Sequence, residues 1–245
     1  MSPSLLSADE VRRALSVRDL TDPAQGPHAL QQIVEAALGA LRRAWGCEVI
    51  VERRSPIVSV ADNYDRLHYP ADGAARDARY SRYVCEGALL RTQTSALLPP
   101  LLRRLARGGA PADVLLACPG LVYRRDCIDR LHSGEPHQVD LWRIRRGPPL
   151  SPADLQEMIA LVVEALLPGR PHRTAAARHP YTTDGLQIDV GDGDGWVEVG
   201  ECGLALPALL AESGLTGATG LAMGLGLDRI LMLRKGLPDI RLLRA

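Results

Sequence analysis

The chain has 245 residues, enough for one large domain with a buried core. Lysine plus arginine and aspartate plus glutamate both number 29, so the formal net charge is zero. That balance removes the basic surplus of a general nucleic-acid binder, without excluding a local basic patch. Five scattered cysteines with no CxxC pair suit a reducing cytoplasm better than a disulfide framework. No long apolar run predicts a membrane helix, and the acidic N-terminus MSPSLLSADE is not a signal peptide. Phenylalanine is absent, so the core aromatics must be the six tyrosines and three tryptophans.

Ser7 can cap a short helix over residues 8–16, and Asp22, Pro23, Gly26 and Pro27 predict a loop over 17–27. From His28 to Trp45, Leu30, Ile33, Val34, Ala37, Leu38 and Leu41 fall on one helical face. A strand over 48–52 and Pro56 follow. Pro99 to Ala106 predicts a helix, its prolines tolerated in the first turn, and 114–117 a short buried strand. Two strand-like runs, 120–123 and 138–144, flank a loop holding Arg124, Arg125, Asp126, Asp129, Arg130, His132 and Glu135. This hairpin sets charged groups on one rim of a sheet, and alternation points Gln138 and Asp140 to one face.

Ser151, Pro152 and Asp154 start another helix, striped by Leu155, Met158, Ile159, Val162, Val163 and Leu166. Residues 168–178 read as a flexible connector. Runs 186–190 and 196–200 pair across the DGDG turn, and 207–211 is a short helix. The end of the chain, GLAMGLGLDRILMLRKGLPDIR, spaces Gly220, Gly224 and Gly226 four and two apart. Such glycines let a backbone approach a flat ligand, and Arg229 then enters at a helix start. A guanidinium there suits a phosphate or an adenine face. The fold class is α+β: an antiparallel β-sheet flanked by helices, with an N-terminal helix and loop (1–27) and one large domain (28–245).

The hairpin and the tail together resemble motifs 2 and 3 of class II aminoacyl-tRNA synthetases, nearest the phenylalanyl alpha subunit, with pyrrolysyl and phosphoseryl relatives. Further segments agree in order. Asn63 to Leu67 with Ala75-Arg76 resembles "NFDxL…PAR", and Leu90 to Ser95 resembles "LRTHTS". His179 to Thr182 resembles "FPFT", and Trp196 to Gly203 resembles "WLEVLGCG". The helix and strand over 28–60 resemble motif 1, which in the family builds a dimer interface.

The resemblance implies ATP-dependent amino-acid activation with Mg²⁺. Arg124 matches the motif 2 arginine on the α-phosphate, and Arg229 the motif 3 arginine by adenine and γ-phosphate. Asp126, His132, Pro136, Glu198 and Gly226 complete the implied ATP site, with Arg130 near the triphosphate tail. Glu198 and Glu201 resemble the metal-coordinating acids. On a regular strand residues three apart face opposite sides, so sharing a metal requires a bulge or turn at Gly200. Gln138 and Asp140 match the Gln and Glu of "FHQxE", while Gln93 and Ser95 match the second His and the Ser of "THTS". With Ala222, these form the implied amino-acid site.

Two departures bear on substrate. His179 and Tyr181 replace the two phenylalanines of "FPF", and Pro136 replaces the phenylalanine that stacks on adenine. Polar groups in such a pocket reject an apolar side chain, so a polar or modified amino acid is expected. Alternatively His179 caps a strand and points away. The expected acceptor is tRNA, a carrier-protein thiol or another molecule, and with no heptad run before residue 28 a bare catalytic core is expected. A cytoplasmic homodimer through residues 28–60 is expected, with no membrane partner. The competing reading is a regulatory paralogue that binds amino acid or nucleotide without catalysis.

Overall fold

The computed structural model describes residues 4–77, 79–109, 111–125, 128–193 and 195–244. Its frame is a seven-stranded sheet. The strands are β1 (Glu48–Val51), β5 (Asp113–Leu121), β6 (His137–Arg145), β7 (His172–Ala176), β8 (Thr182–Asp192), β9 (Gly195–Ala205) and β10 (Thr219–Gly226). They lie in the order β1-β5-β6-β10-β9-β8-β7. Only β1 and β5 run parallel; the rest is antiparallel. A small second sheet joins β2 (Ile57–Ser59), β4 (Ala88–Leu90) and β3 (Arg82–Cys85) in that order.

Alternation along the strands sorts the core into two layers. Leu115 and Ala117 of β5, Val139 and Leu141 of β6 and Leu221, Met223 and Leu225 of β10 share one cluster. That cluster is closed by α2 (Ala29–Trp45), α5 (Pro152–Leu166) and α7 (Leu227–Arg234). Val114, Leu116, Cys118, Trp142, Ile144 and Ala222 face the other way, beneath α4 (Leu98–Arg107) and α6 (Pro207–Glu212).

The helix starts follow their caps. Ser7 and Ser151 cap α1 (Ala8–Leu15) and α5 as expected, and each forms a reciprocal capping box, with Glu10 and Asp154 respectively. His28 caps α2, and Gly46 ends it in the left-handed region at φ 62°.

Three expectations change. The stripe on α2, expected to meet a second copy, is buried within the chain against α5 and the sheet. The supposed connector over 168–178 contains β7, an edge strand paired with β8. Its polar residues fit an edge exposed to water, which is why composition hid it. The runs expected over 114–117 and 120–123 are one strand that passes through Pro119 and ends at Leu121. Pairing with β1 ends at Ala117, so the missing proline N–H falls where no ladder partner is needed.

The N-terminal segment is fixed to the domain. Tyr123 donates to the Ala14 carbonyl at 3.1 Å, and the Leu121 amide donates to Asp19 at 3.2 Å. Among the described residues, no helix is long and apolar enough to cross a membrane. Among the described residues, Cys47, Cys85, Cys118 and Cys202 are free thiols.

Glu52, just past β1, ties that strand to α4. Its carboxylate accepts from Arg104 at 3.0 and 2.5 Å, and from Arg54. Burial raises the Glu52 carboxyl, but the two arginines outweigh it and hold it below the usual carboxylate range. A depressed carboxylate stabilises the fold above its unfolded pKa and loses that contribution as pH falls through its folded pKa. Glu52→Gln is expected to lower stability by about 1 kcal/mol at pH 7. Urea midpoints of the two proteins should converge as pH falls below the ordinary glutamate value of 4.5.

Candidate active site

The face of the sheet beneath α4 and α6 opens into a cavity of about 200 Å³. Its floor is set by register. Gln138 lies opposite Gly226, Asp140 opposite Gly224, and Trp142 opposite Ala222. On the other side, Gly224 faces Glu201 and Ala222 faces Gly203. A Cβ on Gly224 would lie 4.0 Å from both Asp140 carboxylate oxygens, so its absence keeps the floor open. Gly220 differs: it does not line the cavity, and a Cβ there would sit 3.0 Å from Ala205 and the Arg143 carbonyl. Its role is packing, contrary to the ligand-approach reading.

The β8–β9 register shifts between Ile188, opposite Gly200, and Asp189, opposite Glu198. Val199 is therefore the extra residue of a bulge. The bulge puts Glu198 on the same face as Glu201, and both reach the cavity. Gly200 itself accepts no side chain, since a Cβ would fall 2.4 Å from the Gly224 carbonyl.

Arg229 projects from the first turn of α7 into this hollow. Its Nε donates to the Leu131 carbonyl at 3.1 Å and its Nη1 to the Glu198 carbonyl at 3.0 Å. Nη1 also lies 3.4 Å from the Glu198 carboxylate. Nη2 lies 3.1 Å from His132 Nε2. A guanidinium only donates, so His132 Nε2 accepts, and its proton sits on Nδ1, 2.8 Å from Asp129. Arg124 follows the end of β5, at the same end of the sheet as Arg229, with the start of β6 between them. Its Nε donates to the Thr92 carbonyl at 2.9 Å, and its amide to the Gly134 carbonyl at 2.8 Å. Arg124, Arg229, His132, Pro136, Glu198 and Gly226 all line one cavity. Arg130 does not: it donates outward to the Pro238 carbonyl at 3.3 Å. Asp126 lies outside the described residues.

The other half of the cavity holds Gln93, Ser95, Gln138, Asp140, His179, Tyr181, Glu201 and Ala222. Asp140 is 3% exposed and accepts from Thr94 at 2.7 Å, Ser95 at 2.9 Å and Trp142 at 3.3 Å. Burial pushes its carboxyl above the usual range despite these donors. Gln93 is engaged at both ends, accepting from Tyr69 at 2.8 Å and donating to the Asn63 carbonyl at 3.1 Å. Tyr181 stacks on Trp142 with centroids 6.0 Å apart, and burial pushes its hydroxyl far up. His179 does not point away. Its Nε2 lies 2.9 Å from the Glu201 carboxylate, off the line of a regular hydrogen bond, and its Nδ1 lies 3.3 Å from the Thr182 hydroxyl. This contact holds the Glu201 carboxyl below the usual range.

Three lining residues were missed from sequence. Tyr69, its hydroxyl pushed up to about 12 by burial, packs edge-on to Tyr64. Asp228 and His137 form a buried pair: the His137 amide donates to Asp228 at 2.5 Å, and the ring Nδ1 lies 3.2 Å away. The Leu20 amide donates to His137 Nε2 at 3.1 Å, so Nδ1 carries the proton. His137 matches the His of "FHQxE", the one signal that could have found it.

Residues 21–245 match the family model of the tRNA synthetases class II core domain (F). The chain belongs to that family. It is 35% identical over 235 residues to the phenylalanine–tRNA ligase alpha subunit of Prochlorococcus marinus, covering 91% of this chain and 66% of the relative. The alpha subunit of Nostoc punctiforme is 35% identical over 185 residues, covering 75% and 54%. The chain thus spans between about half and two thirds of the length of these curated relatives. The crystal structure of pyrrolysyl-tRNA synthetase from Desulfitobacterium hafniense superposes with a TM-score of 0.65 at 20% identity, covering 95% of this chain and 78% of that one. That likeness shows the shared α+β fold.

Asp228 joins the start of α7 to the start of β6, and so holds the Arg229 helix against the hairpin. Asp228→Ala leaves the buried His137 amide without an acceptor, and the expected loss is about 1–3 kcal/mol. Chemical denaturation measures it. Hydrogen exchange should rise at the amides of 137 and 227–229.

Proposed function

We propose that this chain activates an amino acid with ATP, forming an aminoacyl adenylate, and passes it to tRNA or another acceptor. The observation that carries this reading is the convergence of Arg124 and Arg229, from distant parts of the chain, on one glycine-floored hollow that also holds Gln138 and Asp140. Fixed cations on either side of an α-phosphate suit the charge that develops there when a carboxylate attacks and pyrophosphate leaves. Both guanidiniums are anchored to backbone carbonyls, so little reorganisation is needed when the nucleotide arrives. Asp140 retains acceptor capacity toward an α-ammonium, with Gln138 beside it, and this orients the attacking carboxylate.

Mg²⁺ fits the nucleotide end. No group of three or more His, Cys, Asp or Glu is gathered among the described residues, so the protein alone forms no closed metal site. The bulge instead offers Glu198 and Glu201 on the cavity face, and Mg²⁺ takes one or two carboxylates plus substrate phosphates. When bound, the ion would offset charge on the departing pyrophosphate.

The pocket favours a polar or modified amino acid. His179, Tyr181 and Glu201 present polar atoms that a benzyl side chain would leave unpaired. Pro136 lines the cavity where an adenine-stacking ring is expected, leaving Arg229 as the planar group near the base.

The purified protein is expected to catalyse amino-acid-dependent ATP–pyrophosphate exchange, and Arg124→Ala to cut it by about 10²–10³. Binding of an amino acid with no exchange for any member of a broad panel would favour the regulatory paralogue.

A homodimer through residues 28–60 rests on β1, an edge strand of the sheet, whose Val51 is 45% exposed. Light scattering at micromolar concentration should give twice the 26.5 kDa chain mass; a monomer removes this assembly.

A further inference from the structure

Three polar groups meet at the amino-acid end of the cavity. His179 and Tyr181 stand at the two phenylalanine positions of the "FPFT" segment. Aligned letter by letter with "WLEVLGCG", Glu201 falls on its first glycine. A carboxylate therefore enters the cavity where that segment has no side chain at all.

The sheet register gives this carboxylate its setting. Asp140, Gly224 and Glu201 lie side by side on β6, β10 and β9, so two acids face the same hollow across a bare glycine. They are not equivalent. Asp140 is buried and already accepts from Thr94, Ser95 and Trp142. The Glu201 side chain is 46% exposed and leans toward the His179 ring. An ionised carboxylate only accepts, at about four lone-pair sites. One off-line contact from His179 leaves most of that capacity to whatever fills the cavity.

Arg124 and Arg229 also lie within electrostatic range of Glu201. Once a triphosphate sits against them, their charge is shared with the phosphates. A substrate side chain without a donor would then strip water from Glu201 and return nothing. A side chain ending in an ammonium gains most, because charge-assisted bonds are the strong ones. Tyr69 and the Tyr181–Trp142 stack supply apolar walls for the carbon chain leading to it.

We infer that Glu201, backed by His179, reads the substrate side chain, and that the amino acid taken here carries a side-chain amine. This assignment rests on the adenylation reading above and narrows its substrate. It leaves Mg²⁺ to Glu198, beside Arg229.

Two readouts test it on the full chain, with phenylalanine, tyrosine, ornithine and lysine. The first is the melting-temperature shift with amino acid alone, and the second is ATP–pyrophosphate exchange. An amine-bearing member is expected to give the largest shift and the fastest exchange. Glu201→Gln and Glu201→Gly should each cut its advantage over phenylalanine by roughly tenfold or more. A melting shift confined to amine-bearing members, with no exchange for any, would overturn activation and keep the pocket assignment. Phenylalanine favoured in the wild type and in both variants would overturn the pocket assignment and keep activation. A raised Mg²⁺ requirement in Glu201→Gln, equal for all substrates, would make Glu201 a metal ligand and also overturn it. No shift and no exchange with any of the four overturns both.

Discussion

Arg229 holds three parts of the chain at once. From one turn of α7 it reaches the hairpin loop at Leu131 and His132 and the bulged strand at Glu198. Leu131, His132 and Glu198 all border the nucleotide half of the cavity. The same guanidinium faces the hollow, so the group suited to phosphate is also the group that sets the shape of its surroundings. Its neighbour Asp228 works from inside, binding His137 at the root of β6. Adjacent residues of one helical turn thus hold the loop from outside and the strand from within.

The floor depends on what is missing. Gly224 leaves room beside Asp140, and Gly200 allows β9 to approach β10 so closely that any side chain would strike the Gly224 carbonyl. Gly220, in the same run, only packs. A glycine pattern in a strand therefore mixes two demands, ligand access and close strand approach, that spacing alone does not separate. Asp140 shows the cost of function in the same place. Its buried charge is disfavoured by desolvation, and the hydroxyls of Thr94 and Ser95 with the Trp142 indole offset that.

Much of this was legible in the sequence where local chemistry decides the outcome. The helix caps at Ser7 and Ser151, the DGDG hairpin and the facing of Gln138 with Asp140 depend on neighbours in sequence. The stripe on α2 was legible as buried but not what covers it, because periodicity reports a face and not its partner; α5 supplies it. β7 was hidden because an edge strand in water need not alternate. Asp228 was hidden because an acid in a first helical turn ordinarily faces solvent, and here the hairpin folds over it. Gly200 signalled that a bulge was allowed, but the extra residue is its neighbour Val199.

That one extra residue sets the phase of the whole N-terminal half of β9. Straightened with its length unchanged, the strand would alternate strictly and every position before the bulge would rotate by half a turn. Val197 would swing out of the oily layer while Glu198 swung in. Losing Val199 outright would leave both in place, because Asp189 would still meet Glu198 and Ile188 would still meet Gly200, so the wet side of the strand depends on that pairing and not on the number of residues.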